Sequence, residues 1–140
     1  MAKHRVLVSV PVEFKGRRPA GDLLEEAGYE VVYMAGRLGK EVEAVRAALV
    51  DIDAVLPGME PLNAATMESA ERMKIIARNG VGYDAVDVPY CTERGIVLTT
   101  TPGALSDAVA EETFGLILAL TRHIALGDRT VKGGEYDVPY

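Results

Sequence analysis

The residues Asn79-Gly80-Val81-Gly82-Tyr83-Asp84 follow the apolar run Met73 to Arg78 and place two glycines one residue apart. Glycine reaches backbone angles that other residues resist, so successive amides in such a loop can turn inward and form a nest for an anion. The amides of Gly80, Val81 and Gly82 match the two oxygens of a carboxylate, and no charged side chain is required. The same spacing also suits a tight turn in which the glycines only permit the bend. It does not fit a dinucleotide pyrophosphate, which needs a third glycine and then a helix, whereas Asp84-Ala85-Val86-Asp87 follow here.

Around this loop the titratable residues offer little chemistry of their own. Arg78 can act as a fixed charge beside an anion, or be solvated or paired with an acid such as Glu71, and the second is the favoured expectation. Asp84 is expected to cap the short helix after the loop. Asp84 and Asp87, with no histidine or third acid close by, do not make a metal site. His4 opens a strand and His123 falls where a long helix ends, a position that favours a cation. Neither has the surroundings of a general base, so no catalytic residue is assigned. The single cysteine, Cys91, reads as a buried structural thiol.

The elements that must position the loop alternate. Arg5 to Val10 is compact and β-branched, as a buried parallel strand is. Asp22 to Gly28 reads as a helix with Gly28 as its C-cap. Tyr29 to Met34 is a second strand, and Leu38 to Ile52 has Val42, Val45 and Leu49 at helical spacing. Asp53 to Gly58 is a third strand closed by a Pro-Gly turn. Asn63 then caps a short helix, Met73 to Arg78 is the fourth strand, a short helix spans Cys91, and Gly95 to Thr100 is the fifth strand. Five strands alternating with helices imply an α/β fold: a flavodoxin-like, open, parallel five-stranded sheet with helices on both faces. In such sheets ligands sit beyond the carboxyl ends of the strands, which is where Asn79 to Asp84 fall.

A long helix follows, with Ser106 as its expected cap. Val109, Thr113, Leu116, Leu120 and Ile124 line one side, and Ala110, Phe114, Ile117 and Leu118 widen the apolar arc beyond what a surface helix needs. Such a helix must pack on more than one side. The tail from Gly127 reads as a polar, glycine-rich linker.

Of 140 residues, 49% are hydrophobic, enough for a packed core rather than a disordered chain. The net charge of -6 argues against a nucleic-acid backbone as partner. The amino terminus has too short an apolar run for a signal peptide, and no stretch approaches the length of a membrane span. One cysteine excludes an internal disulfide, and the reducing cytoplasm is the expected compartment.

The segment from Ile76 to Ile124 resembles the D-2-hydroxyacid dehydrogenases, in the branch of phosphoglycerate dehydrogenase and glyoxylate or hydroxypyruvate reductase. Three pieces carry the likeness in order: GVGYDAVD, GIVLTTTPG, and AVAE at the start of a long apolar helix. The resemblance implies a substrate domain interrupted by a Rossmann domain that binds NAD or NADP, with a 2-hydroxy or 2-oxo acid in the cleft. It implies that Asn79, Gly80, Val81 and Gly82 face the substrate carboxylate, with Val81 and Val109 also near the nicotinamide. Thr101 and Asp107 are weaker candidates. It also implies that the helix 106–125 is half of a homodimer interface.

By the same likeness, residues 1–100 are the amino-terminal part of the substrate domain and residues 101–140 begin the cofactor domain. The family's glycine fingerprint and its catalytic arginine, glutamate and histidine follow a tail like KGGEYDVPY, where this sequence stops. The expectation is therefore a chain that by itself binds no NAD tightly and catalyses nothing. The alternative is a binding or assembly module derived from the same family, like its corepressor-type members. A phosphorylated receiver shares the strand order, but Glu13 and Glu60 are displaced from the places its acids occupy, and no aspartate ends the third strand.

Overall fold

A computed structural model describes residues 3–10, 19–34 and 41–135. Five strands form one parallel sheet: β1 (Arg5–Val8), β2 (Glu30–Tyr33), β3 (Ala54–Leu56), β4 (Ile75–Ala77) and β5 (Val97–Thr99). The spatial order is β2-β1-β3-β4-β5. Leu7 pairs with Val32 on one side and Val55 on the other, while Ile76 pairs with Leu98. This is the doubly wound order expected from the alternation, and it places the ends of β1, β3 and β4 side by side.

Two apolar layers hold the sheet. Leu7, Val55 and Ile76 point to one face, where Val45 and Leu49 of α2 (Val42–Leu49), Met67 of α3 (Ala64–Met67) and Cys91 of α4 (Val88–Glu93) pack on them. Val6 and Val8 point to the other face, against Leu24 of α1 (Pro19–Glu26). The period-two alternation of β1 explains the division. Helix caps follow from short polar side chains. Asn63 and Thr66 form a reciprocal capping box at α3, satisfying two otherwise open amides. Gly28, at φ +90°, lets the chain turn out of α1 into β2.

Two expectations about caps are corrected. Asp87, not Asp84, caps α4, accepting from the Tyr90 amide at 3.0 Å, because Tyr83 and Val86 first close a turn of their own. Ser106 lies inside its helix, and the position before it is taken by Leu105, which has no capping side chain. The start of the helix expected from Leu38, the acid Glu13, and the tail from Tyr136 lie outside the described residues.

The chain divides into two compact units between Pro102 and Gly103. The second contains α5 (Ser106–Thr121) and α6 (Ile124–Lys132). The single helix expected over 106–125 is thus corrected to two. His123 adopts φ 52°, a left-handed angle that ends the α-helical path, and the Arg122 and His123 amides fold back to the carbonyls of Leu118 and Leu120, respectively. The polar tail expected from Gly127 is helical as far as Lys132, with an ion pair between Lys132 and Asp128 one turn apart. No residue of α5 is buried, and Phe114, Leu116, Leu118 and Leu120 are all more than half exposed.

Candidate functional site

The loop after β4 is pinned at both ends. At its start the Arg78 amide donates to the Thr99 carbonyl at 2.8 Å, continuing the β4–β5 ladder by one residue. The Gly80 amide then donates to the Arg78 carbonyl at 3.0 Å, closing a tight turn around Asn79. At its far end the Val86 amide donates to Tyr83. Leu62, fully buried, is clasped between the Ala85 carbonyl and the Asp87 amide at 2.7 and 2.8 Å. The Thr101 amide donates to the Gly80 carbonyl at 3.0 Å, so a residue marked as a weaker candidate reaches the loop through its backbone.

Three amides were expected to face a ligand. That of Gly80 is engaged inside the turn, whereas those of Val81 and Gly82 donate to nothing among the described residues. Only Gly80 needs to be glycine for its backbone, at φ +145°. Gly82 has no such angle, and a methyl group there meets only Asp84 Oδ2 at 3.5 Å, an ordinary contact. Asn79, Val81 and Gly82 are exposed.

Arg78 makes no ion pair among the described residues, so of the two expectations, solvated or paired with an acid such as Glu71, the pairing is not found. Its Nη1 donates to the Asn79 carbonyl at 2.5 Å, and its Nη2 lies 3.4 Å from Met59 Sδ. The guanidinium therefore lies over Gly80, where an added Cβ would come within 3.3 Å of Nη1. Met59, Arg78, Gly82, Asp84 and Ala85 line a cavity of about 110 Å³. Two free amides near a cation that makes no ion pair among the described residues suit a small carboxylate, with the Asp84 carboxylate also on the cavity wall. Met59 was not singled out from sequence. The Pro57-Gly58 turn was the available signal, because β3 neighbours β4 and the residue after that turn must come near the loop.

The remaining titratable groups serve the scaffold. Asp53 lies beneath the amino end of β1. Burial alone would raise its pKa, but the Arg5 amide, the Arg72 guanidinium and His4 together hold it below the usual carboxylate value. His4 Nδ1 is 3.5 Å from Asp53, at the sheet edge opposite the loop. Burial, and then the charge of Asp87, push the Cys91 thiol up. Among the described residues, no group of three or more His, Cys, Asp or Glu side chains is arranged to hold a metal ion.

Nor does the loop fit a dinucleotide pyrophosphate. Its glycines lead into Asp84 and Asp87 and then a helix of 6 residues whose cap is already filled by Asp87. Val109 and Asp107 lie in the first turn or so of α5, in the second unit, with Val109 60% exposed.

Residues 6–126 match the D-isomer specific 2-hydroxyacid dehydrogenase family, catalytic domain. A glyoxylate reductase of Thermofilum pendens is 38% identical over 87% of this chain and 36% of its own length. An NAD-bound 3-phosphoglycerate dehydrogenase from Entamoeba histolytica superposes with a TM-score of 0.72 at 31% identity, over 84% of this chain and 39% of that one. An NADPH-dependent glyoxylate/hydroxypyruvate reductase from Sinorhizobium meliloti, in complex with NADP and malonate, superposes with a TM-score of 0.74 at 27% identity, over 96% and 40%. The chain thus spans less than half the length of each of these relatives. No helix among the described residues is long and apolar enough to cross a membrane.

Proposed function

The chain belongs to the D-isomer specific 2-hydroxyacid dehydrogenases, and we propose that its loop after β4 holds the carboxylate of a small 2-hydroxy or 2-oxo acid in an NAD- or NADP-dependent oxidoreductase. The observation that carries this reading is the pair of amides at Val81 and Gly82, unengaged among the described residues, near the Arg78 guanidinium, which has no ion-pair partner among them. Two N–H donors and a cation on the carboxylate fix the substrate's orientation while leaving its C2 free to react. Alignment of this kind lowers the barrier without any proton transfer by the loop itself. The amide of Gly80 and the turn around Asn79 shape the grip rather than donate to it. Val81, 61% exposed, offers an apolar surface beside the carboxylate for the nicotinamide.

NAD or NADP supplies or accepts the hydride and is held mainly by residues other than this loop. On this reading residues 1–100 belong to the substrate domain and residues 101–140 begin the cofactor domain, with Val109 facing the nicotinamide. The exposed apolar residues of α5 pack on a second copy of the chain, and the enzyme works in the cytoplasm.

The test is turnover by the full gene product. Glyoxylate or hydroxypyruvate should be reduced with loss of the reduced cofactor's ultraviolet absorbance. Gly82→Val, which crowds the two amides, should raise KM at least tenfold, about 1.4 kcal/mol of lost binding. A gene product that turns over none of the small 2-oxo acids with either cofactor would favour the binding-module alternative.

A further inference from the structure

Two acids are buried among the described residues, Asp53 and Glu60. Asp53 has the Arg72 guanidinium within 2.7 Å, His4 nearby and the Arg5 amide. Glu60 is 2% exposed and has no cation beside it among the described residues. Its Oε1 accepts from the Ser9 hydroxyl and from the Gly58 amide, the latter at 3.2 Å. Ser9, itself 3% exposed, continues β1, and its amide donates to the Leu56 carbonyl at 3.1 Å. The carboxyl group thus fastens the turn after β3 to the end of β1, at the sheet edge where the proposed ligand sits.

Burying a carboxyl group without a cation costs free energy, and a well-packed apolar side chain commonly serves stability as well or better. The geometry around Glu60 supplies another use. Its neighbour Met59 is turned outward, 66% exposed, with Sδ against Arg78 Nη2. Arg78 in turn holds the Asn79 carbonyl, in the peptide that carries the Gly80 amide and one peptide before the free amide of Val81. A continuous path therefore runs from Ser9 through Glu60, Met59 and Arg78 to the loop.

We propose that Glu60 is a positioning residue: by locking the turn 57–60 to β1 it sets Met59 as a brace for the Arg78 guanidinium, and so fixes the cation and the loop amides for the ligand. This rests on the carboxylate reading of the loop, but the path from Glu60 to Arg78 exists without ligand. The brace is soft and polarizable, so it holds the guanidinium in place without neutralising its charge. An acid in the place of Met59 would pair with Arg78 and cancel the cation the ligand needs.

The experiment compares Glu60→Gln, which keeps an acceptor oxygen for Ser9 and Gly58, with Glu60→Met, which removes it. Three readouts are taken on the 140-residue chain: the Arg78 Nε–Hε resonance without ligand, the Kd for glyoxylate from the Val81 and Gly82 amide resonances, and the urea midpoint. Glu60→Met should shift and broaden the Arg78 resonance and weaken glyoxylate about tenfold, the loss of one charge-assisted contact. Glu60→Gln should restore both to near the parent. Met59→Ala should reproduce the Arg78 change with Glu60 intact, which covers the case in which Glu60→Met does not fold. An Arg78 resonance unchanged in both Glu60→Met and Met59→Ala, with only the urea midpoint moved, overturns the proposal. Silent Val81 and Gly82 amides in the parent protein would overturn the carboxylate reading instead, while the ligand-free Arg78 signal still decides the role of Glu60.

Discussion

The amide of Thr101 donates to the carbonyl of Gly80 across 3.0 Å, so the segment leaving β5 holds the loop that leaves β4. With its amide committed to Arg78 and its carbonyl to Thr101, Gly80 is the fixed point of the loop, and Val81 and Gly82 are what it presents.

The two glycines should therefore respond differently to the same change. Gly80→Ala meets both a left-handed backbone angle and the Arg78 guanidinium, and should cost about 1–3 kcal/mol in urea unfolding. Gly82→Ala finds ordinary space and should stay within about 0.5 kcal/mol of the parent. Equal losses at the two positions would show that the loop is held in some other way.

The sheet and its order were legible because β-branched runs, a Pro-Gly turn and Gly28 each leave a local signature, and the alternation of strand and helix fixes the topology. The long helix was expected to end near His123, but the left-handed turn there and the second helix, Ile124–Lys132, were not legible. Nothing in Thr121-Arg122-His123-Ile124 is a glycine or proline, and the apolar spacing runs straight through it. The partner of Arg78 was also hidden, since a sulfur reached across the sheet edge from β3 leaves no mark in local sequence. Asp84 and Asp87 are both good capping residues, and only the turn closed by Tyr83 and Val86 decides between them.

Asp53 should give the chain an acid-sensitive component of stability. Its folded pKa lies below the unfolded value of about 3.9. The stabilisation is therefore fully present above that value and is lost as pH falls through the folded pKa. Asp53→Asn should cost about 2 kcal/mol at neutral pH, the scale of hydrogen bonds to a charged group. The difference between the two proteins in urea unfolding should shrink as the pH is lowered through that window. A difference that stays constant with pH would mean that shape, not charge, is what Asp53 contributes.

Cys91 should be inert to alkylating reagents in the folded chain, because burial both blocks access and raises the thiol pKa. Its rate of modification should track unfolding by urea. Rapid reaction without denaturant would contradict the packing of α4 on the sheet.

The exposed leucines and phenylalanine of α5 should make the chain self-associate. Sedimentation equilibrium should give a dimer for the parent, and Phe114→Glu with Leu118→Glu should give a monomer with an unchanged urea midpoint. A parent that sediments as a clean monomer at high concentration would contradict the dimer reading of α5.

The central claim, that main-chain donors at Val81 and Gly82 grip a carboxylate, is tested most directly by following the amide resonances of residues 79–84 while glyoxylate is added. The account predicts saturable shifts largest at Val81 and Gly82, with Gly80 moving least because its amide is already bonded. Shifts absent at those two residues at millimolar glyoxylate, or largest at Gly80, would contradict it.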